Sequence, residues 1–202
     1  MKVGILGGSF NPIHNGHIRM AGTAYEELDL DKVLIMPTGN PPHKSELLDS
    51  VHRCNMINLA IKDYDYLELS DIELQRKGTI YTADTLKILC QENPDIKYTF
   101  ILGADSLFSI ESWYKPEQIF KHARIAACQR DDLIVEKMNR QKKYLQKKYN
   151  AVIYILNFEG INVSSNMIRG LIGSKQKKAV DRLDNLINAD VLEYIQKEGL
   201  YI

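Results

Sequence analysis

The feature that most constrains the fold is a regular alternation of short apolar runs with longer amphipathic segments. Residues 2–6 and 97–102 form short apolar runs, and glycines follow both of them. Such runs are typical of buried parallel strands. The longer segments carry apolar residues at helical spacing, as in residues 50–63. The alternation predicts an α/β fold with a doubly wound, mainly parallel sheet and helices on both faces.

The same pattern predicts the other elements. The further predicted strands are residues 32–36, 124–128 and 151–156, and the further predicted helices are residues 15–28, 82–91, 131–149, 164–171 and 190–197. No repeat or linker interrupts the chain, so we expect one domain over residues 1–202, with residues 164–202 as a C-terminal helical subdomain. In such sheets ligands bind at the carboxyl ends of the strands. We therefore expect three loops to converge there, those at Gly7-Gly8, at Gly39-Asn40 and at Gly103-Ala104-Asp105.

The charge balance argues against a dedicated nucleic-acid binder. Lys plus Arg and Asp plus Glu both number 26, which gives a formal net charge of zero. The basic run RQKKYLQKKY follows acidic residues, so a solvated helix face is favoured over an RNA surface. No apolar run is long enough to span a bilayer, and no signal-peptide pattern is present. The cysteines are odd in number and form no CxxC pair, which predicts reduced thiols, no zinc site and a cytoplasmic location.

The stretch GILGGSFNPIHNGH carries the first candidate site. It matches neither GxGxxG nor the P-loop pattern. Gly7 and Gly8 predict a flexible turn, followed by the N–H groups of a helix that begins near Asn15. His14 and His17 would then share a face of the first turn, where both imidazoles can donate to phosphate oxygens. Two other interpretations stay open here, half of a metal site and a helix cap without ligand, although no third ligand is evident.

The stretch INVSSNMIRG carries the second candidate site. Ser164 or Ser165 is a natural N-cap, and Arg169 follows about one turn into the helix. Hydroxyls, N–H groups at a helix start and a guanidinium together favour an anion. An ordinary capped helix with a surface arginine is the alternative. Combined with the two histidines, this site predicts a clamp for a triphosphate.

These motifs resemble a known family. GGSFNPIHNGH resembles the GGSFxPxHxGH signature of the nucleotidyltransferases that carry a (T/H)xGH motif, and VSSNMIR resembles their second motif, ISSTxIR. PTGNPPHK, RKGTIYTADTL, FILGADSLFSIESWYKPEQI and VLEYIQKEGLY are similar to segments of bacterial nicotinate-nucleotide adenylyltransferases. The resemblance covers residues 2–201, apart from about 131–150. It implies a Rossmann-like fold and the transfer of AMP from ATP to nicotinate mononucleotide, with Mg²⁺ bound mainly through the ATP phosphates.

The resemblance also implies roles for individual residues. His17 would stabilise charge on the α-phosphate, His14 would contact the ATP phosphates and Arg169 would neutralise the departing pyrophosphate. The implied ATP-binding residues are Gly7, Gly8, Ser9, Phe10, Gly103, Asp105, Ser164 and Ser165. The implied nicotinate mononucleotide-binding residues are Ser9, Lys44, Thr85, Trp113 and Tyr114, and no residue is expected to ligate a metal. Taken alone, Lys44 is a solvated loop lysine, Trp113 a core aromatic and Asp105 a helix cap.

Two departures and several alternatives accompany the resemblance. Asn166 stands where the second motif usually has Thr, and INADV replaces a segment that often carries proline. Phosphopantetheine adenylyltransferases share both anion motifs but lack the RxGxxYTxDTL and LGADS segments. A nucleotide-binding sensor without catalysis is the second alternative, and class I aminoacyl-tRNA synthetases are disfavoured because no KMSKS-like loop occurs. The residues leave open the preference for nicotinate over nicotinamide, loop closure and whether the chain forms a homo-oligomer.

Overall fold

A computed structural model of the chain describes residues 1–39, 47–129, 132–158, 160–174 and 183–202. Its strands are β1 (Lys2–Gly8), β2 (Lys32–Pro37), β3 (Leu67–Leu69), β4 (Lys97–Gly103), β5 (Arg124–Cys128) and β6 (Ile153–Leu156). They form one parallel sheet in the order β3-β2-β1-β4-β5-β6. The strand order reverses between β1 and β4, so the predicted doubly wound parallel sheet is confirmed.

Helices cover both faces of the sheet. They are α1 (Asn15–Glu27), α2 (Ser50–Ile61), α3 (Thr82–Glu92), α4 (Ala104–Ser109), α5 (Pro116–His122), α6 (Asp132–Tyr149), α7 (Ser165–Gly173) and α8 (Ala189–Lys197), with a 3-10 turn at Ile110–Ser112. Alternate residues of β4 face opposite cores, because successive side chains of a strand point to opposite faces. Ile101 packs with α1, α2, α7 and α8. Phe100 and Leu102 pack with α3, α4, α5 and α6. None of the described helices is long and apolar enough to cross a membrane.

The glycine pair is not the turn that the sequence predicts. Gly7 and Gly8 lie in β1, where they pair with Met36 and Pro37 of β2. A Cβ at Gly7 would lie 3.2 Å from the Phe100 ring, so the glycine allows close packing within the strand. Glycine adopts extended backbone freely, and the chain leaves the sheet only at Ser9.

Three short elements escape prediction: β3, α4 and α5, none longer than seven residues. A three-residue strand has no measurable alternation, and two helical turns show too little periodicity to be distinguished from a loop. The helices near the C-terminus share a core cluster with the sheet, through residues such as Ile168, Val191 and Ile195. Their separation as a helical subdomain stays a prediction.

Candidate active site

A cavity of about 290 Å³ opens at the carboxyl ends of β1 and β4, where the strand order reverses. Sequence-predicted site residues form much of its lining, namely Gly7, His14, His17, Gly103, Asp105, Trp113, Ser164 and Ser165. Apolar side chains, including Met20, Phe100 and Phe158, complete the wall. Residues from five separate stretches of the chain therefore meet in one place. Two of the three loops expected to converge contribute to the lining, through Gly7 and through Gly103 and Asp105, whereas Gly39 does not line the cavity.

The two histidines form a stacked pair at the start of α1. The predicted helix start is confirmed, since α1 begins at Asn15 with His14 at the N-cap. The backbone N–H of His14 donates to Nδ1 of His17 at 3.2 Å, and the ring centroids lie 3.6 Å apart. Phe10 packs edge-on against His17 at 4.9 Å. Because Nδ1 of His17 accepts this hydrogen bond, a neutral His17 carries its proton on Nε2, which can donate to a ligand oxygen.

Gly16, between the two histidines, allows α1 to approach a neighbouring segment closely. A Cβ at Gly16 would lie 2.8 Å from Cγ1 of Val163 and 3.1 Å from Nδ1 of His14. Only glycine fits this space without movement of its neighbours. The first turn of α1 thus packs directly against the residue that precedes Ser164.

Helix α7 connects the second site to the first. Ser164, one of the two predicted caps, is the N-cap of α7, and its Oγ accepts from the Met167 N–H at 3.2 Å. The Ser165 hydroxyl donates to the Pro12 carbonyl at 2.8 Å. Residues 9–14, hereafter the β1–α1 segment, are therefore joined to α7 across more than 150 residues of sequence.

Arg169 lies beside the cavity and does not line it. Its guanidinium donates to the Asn11 carbonyl at 2.7 Å and to Oδ1 of Asn166 at 3.0 Å. Asn166, which departs from the usual threonine of the motif, thus supports Arg169 directly. Arg169 is partly buried, and its two hydrogen bonds restrict the orientation of its guanidinium group.

Arg53 is a residue that sequence reasoning missed. It is 2% exposed, and it donates to the Ser9 carbonyl and to the Leu48 carbonyl, both at 3.0 Å. Arg53 shares a face of α2 with the buried Ile57 and Ala60. The available signal was a charged residue on an otherwise apolar face of a predicted helix. A buried arginine requires hydrogen-bond partners, so this position indicates polar contacts within the core.

Trp113 lines the same cavity as the two histidines. The indole is partly buried, with its ring edge-to-face with Phe100 at 6.2 Å. The sequence left open whether Trp113 is a core aromatic or a ligand-binding residue. The structure is compatible with both, since the indole packs on the core and also lines the cavity. Tyr114 is 43% exposed and stacks on Tyr81 at 4.2 Å, outside the cavity lining.

Comparison with known proteins identifies the family. A model of the Cytidylyltransferase-like family matches residues 5–171. A Lachnoclostridium phytofermentans protein named "Probable nicotinate-nucleotide adenylyltransferase" is 40% identical over 203 residues, covering 100% of this chain and 99% of the relative. A Streptococcus mutans relative of the same name is 39% identical over 202 residues, covering 99% and 88%. The chain belongs to the nicotinate-nucleotide adenylyltransferase family.

A solved structure shares the fold of this family member. The Plasmodium falciparum nicotinic acid mononucleotide adenylyltransferase, solved in complex with NaAD, superimposes with a TM-score of 0.82. It is 22% identical, and the match covers 99% of this chain and 97% of the other. Nicotinate-nucleotide adenylyltransferases are nucleotidyltransferases of NAD biosynthesis, so the chain is an enzyme of that class.

Six predicted site residues of this nicotinate-nucleotide adenylyltransferase family member lie away from the cavity lining. Besides Arg169 and Tyr114, they are Gly8, Ser9, Phe10 and Thr85. The Phe10 side chain is fully buried beneath His17, so this ring supports the histidine. Lys44 and Asn40 lie outside the described residues. The binding roles implied for all these residues stay predictions.

Thr85 belongs to a buried polar network. Its hydroxyl donates to Oε1 of Glu73 at 2.9 Å and accepts from Nη1 of Arg76 at 2.8 Å. Glu73 is 5% exposed, and its other oxygen accepts from the Gly39 N–H at 3.4 Å. Burial raises the pKa of Glu73, against the lowering effect of the hydrogen bonds from Thr85 and Gly39. The network joins the end of β2 to the start of α3 beside Tyr81, and sequence reasoning missed Glu73.

Part of the basic run in α6 contacts the segment that leads to Trp113. Lys148 Nζ lies 2.7 Å from Oε1 of Glu111, and the Tyr149 hydroxyl donates to the same oxygen at 3.1 Å. The hydrogen bond from Lys148 is the largest contribution that lowers the pKa of Glu111.

In the described part of the chain, no three His, Cys, Asp or Glu side chains are grouped to hold a metal ion.

Proposed function

We propose that this enzyme transfers AMP from ATP to nicotinate mononucleotide, which gives deamido-NAD and pyrophosphate. The observation that carries the proposal is one cavity at the β1–β4 reversal that is lined by His14 and His17 at the start of α1, by Ser164 and Ser165 at the start of α7, and by Trp113. The names of the relatives at 40% and 39% identity support the same acceptor. The ligand NaAD in the Plasmodium falciparum structure supports it as well.

The reaction requires one bond to form and one to break. A phosphate oxygen of nicotinate mononucleotide attacks the α-phosphorus of ATP, and the bond from this phosphorus to the bridging oxygen of the β-phosphate breaks. Pyrophosphate departs with the bonding electron pair. The attacking phosphate is already ionised at neutral pH, so no general base is required, and the protein contributes positioning and charge stabilisation.

Each of the two proposed anion sites binds a different part of the triphosphate. We assign the Nε2–H of His17 to the α-phosphate oxygens, where negative charge increases in the transition state. His14 contacts the neighbouring phosphates. The helix start at Ser164 and Ser165, together with Arg169, receives the departing pyrophosphate, because N–H groups at a helix start and a guanidinium both favour phosphate oxygens.

The remaining predicted residues bind the two nucleosides and the acceptor phosphate. Trp113 offers a flat apolar face for the pyridine ring. We assign the adenosine and the ATP phosphates to Gly7, Gly8, Phe10, Gly103 and Asp105. We assign the acceptor phosphate and carboxylate to Ser9, Lys44, Thr85 and Tyr114. ATP enters as its Mg²⁺ complex, with the ion carried mainly by phosphate oxygens, which is the usual arrangement for this ion. The cytoplasmic location also stays a proposal.

A coupled pyrophosphate-release assay tests the function. ATP is supplied with nicotinate mononucleotide, nicotinamide mononucleotide or phosphopantetheine, and the dinucleotide product is identified by mass. We expect deamido-NAD from nicotinate mononucleotide to be the dominant product. Dominant turnover of phosphopantetheine would contradict the assignment, and the absence of pyrophosphate with every acceptor would support a nucleotide-binding sensor.

A further inference from the structure

The β1–α1 segment is held by side chains from distant parts of the chain. Arg53 of α2 donates to the Ser9 carbonyl, and Ser165 of α7 donates to the Pro12 carbonyl. Both contacts act on backbone oxygens, so they determine the path of the segment. The path in turn sets where His14 and His17 lie, because α1 begins at its end.

Asn11 is the residue at which two further contacts meet. Its carbonyl accepts from Arg169 at 2.7 Å, and its side-chain Oδ1 accepts from the Tyr201 hydroxyl at 2.7 Å. Asn11 is 6% exposed, so water has little access to these oxygens. Because a buried amide oxygen that loses its donor is costly, the Tyr201 hydroxyl strongly favours one position of Asn11.

Tyr201 reaches Asn11 from the end of the chain through a tightly turned backbone. Gly199 has φ 61° and Tyr201 has φ 64°, while Leu200 between them is buried. The left-handed conformation suits glycine but is unfavourable for a tyrosine. A non-glycine residue keeps such a conformation only where surrounding contacts favour it, and the hydrogen bond to Asn11 is such a contact.

The surroundings of Tyr201 keep its hydroxyl protonated. Burial raises the pKa of Tyr201 well above its ordinary value, and the lowering effect of Arg169 and Arg53 is smaller. The hydroxyl is therefore a hydrogen-bond donor throughout the neutral pH range. Both arginines belong to the set of side chains that contact the β1–α1 segment.

We propose that Tyr201 is a positioning residue of the active site, whose hydroxyl fixes Asn11 so that the Asn11 carbonyl orients the Arg169 guanidinium. The proposal rests on the proposed function, because it assigns Arg169 to the departing pyrophosphate. Asn11 and Asn166 each accept one of the five N–H donors of Arg169. Among the residues that the structure describes, the other donors have no acceptor, so we assign them to an anion. The last residues of the chain thus belong to the phosphate site, although they do not touch substrate.

The test compares Tyr201→Phe with Tyr194→Phe. Both changes remove one hydroxyl near the C-terminus. The Tyr194 hydroxyl contacts His52 and Asn55 on α2, away from the β1–α1 segment. We expect Tyr201→Phe to lower kcat about tenfold and to weaken ATP binding, with KM for nicotinate mononucleotide within about twofold of wild type. Tyr194→Phe should leave all of these constants within about twofold.

Equilibrium binding separates this proposal from the proposed function. The Kd for α,β-methylene-ATP, measured by calorimetry, needs no acceptor and no turnover. If the wild type binds the analogue but forms no deamido-NAD, the proposed function is wrong while the Kd of Tyr201→Phe still decides the role of Tyr201. A Kd and kcat for Tyr201→Phe equal to those of Tyr194→Phe would overturn the positioning role.

A double-mutant cycle with Asn11→Ala tests whether the two side chains act through one hydrogen bond. Asn11→Ala retains the backbone carbonyl that accepts from Arg169 but removes Oδ1. We expect Tyr201→Phe to have no further effect on ATP-analogue binding in that background, because the hydroxyl has lost its acceptor. Additive effects of the two substitutions would show that Tyr201 acts elsewhere. Urea unfolding of each variant identifies any loss of binding that comes only from unfolded protein.

Discussion

The backbone N–H of His14 donates to Nδ1 of His17 across 3.2 Å, while the two rings stack with centroids 3.6 Å apart. One histidine thus fixes the tautomer and orientation of the other, which places the proton of a neutral His17 on Nε2 as a hydrogen-bond donor. Stacking on His14 and edge contact with Phe10 restrict the ring further. The proposed charge stabilisation by His17 requires a donor held in this way before the reaction begins.

Replacement of His17 by alanine should reduce kcat strongly. We expect a decrease on the order of 10²-fold or more, as for loss of a donor to a developing oxyanion, with the melting temperature little changed. Steady-state kinetics with ATP and nicotinate mononucleotide provide the measurement. His52→Ala is the matched control, because His52 contacts Tyr194 away from the cavity. Near-normal turnover by His17→Ala would refute the role of His17.

Replacement of Gly16 and Gly170 by alanine should have opposite effects on stability. A Cβ at Gly16 would meet Val163 at 2.8 Å, whereas one at Gly170 meets nothing within 4 Å. Gly16→Ala should therefore lower the free energy of unfolding by about 1–3 kcal/mol and also reduce activity. Gly170→Ala should raise the free energy of unfolding by about 0.5–1 kcal/mol, because alanine favours the helix. Urea denaturation measures both, and a stabilising Gly16→Ala would contradict the close approach.

Trp113 should report acceptor binding directly. It is the only tryptophan of the chain, so fluorescence excited at the long-wavelength edge, where tyrosine does not absorb, observes this residue alone. We expect titration with nicotinate mononucleotide to change the emission, since a stacked pyridine ring alters the environment of the indole. Trp113→Ala should raise KM for nicotinate mononucleotide, whereas Trp113→Phe should retain much of the affinity. An unchanged KM in the alanine variant would assign Trp113 to the core alone.

Glu73 should make the protein less stable as pH rises. Burial raises the pKa of Glu73 above the ordinary value of 4.5, so the folded protein binds this proton more tightly than the unfolded chain does. The contribution of Glu73 to the free energy of unfolding is therefore greatest below the unfolded pKa and declines as pH rises through the folded pKa. Glu73→Gln removes this titration. We expect its unfolding free energy to decline less than that of the wild type as pH rises from 4.5 towards neutrality.

Denaturation at several pH values checks this expectation. Glu92→Gln is the control, because Glu92 is exposed at the end of α3. A wild-type pH profile that matches the profile of Glu73→Gln would show that the buried carboxyl does not titrate in this range.

Local signals in the sequence were sufficient to predict the helices and strands that position the site. The Ser164 cap and the α1 start at Asn15 depend on a few neighbouring residues, and both lie where predicted. The long strands and helices were likewise predicted, because their periodicity repeats over enough residues. Gly7 and Gly8 were misjudged as a turn, since glycine allows extended backbone as readily as a bend.

Residue types and spacing by themselves determined the parallel doubly wound sheet and the two helix starts, at Asn15 and Ser165, that we propose as anion sites. Only the tertiary structure decided what supports those helix starts. Arg53 contacts Ser9 across 44 positions, and Tyr201 contacts Asn11 across 190. Such contacts depend on how the helices pack on the sheet, and neither periodicity nor capping preference encodes them. The physical reason is that every residue has the same backbone carbonyl. The residue type at Ser9 or Asn11 therefore gives no indication of which distant side chain donates to its carbonyl.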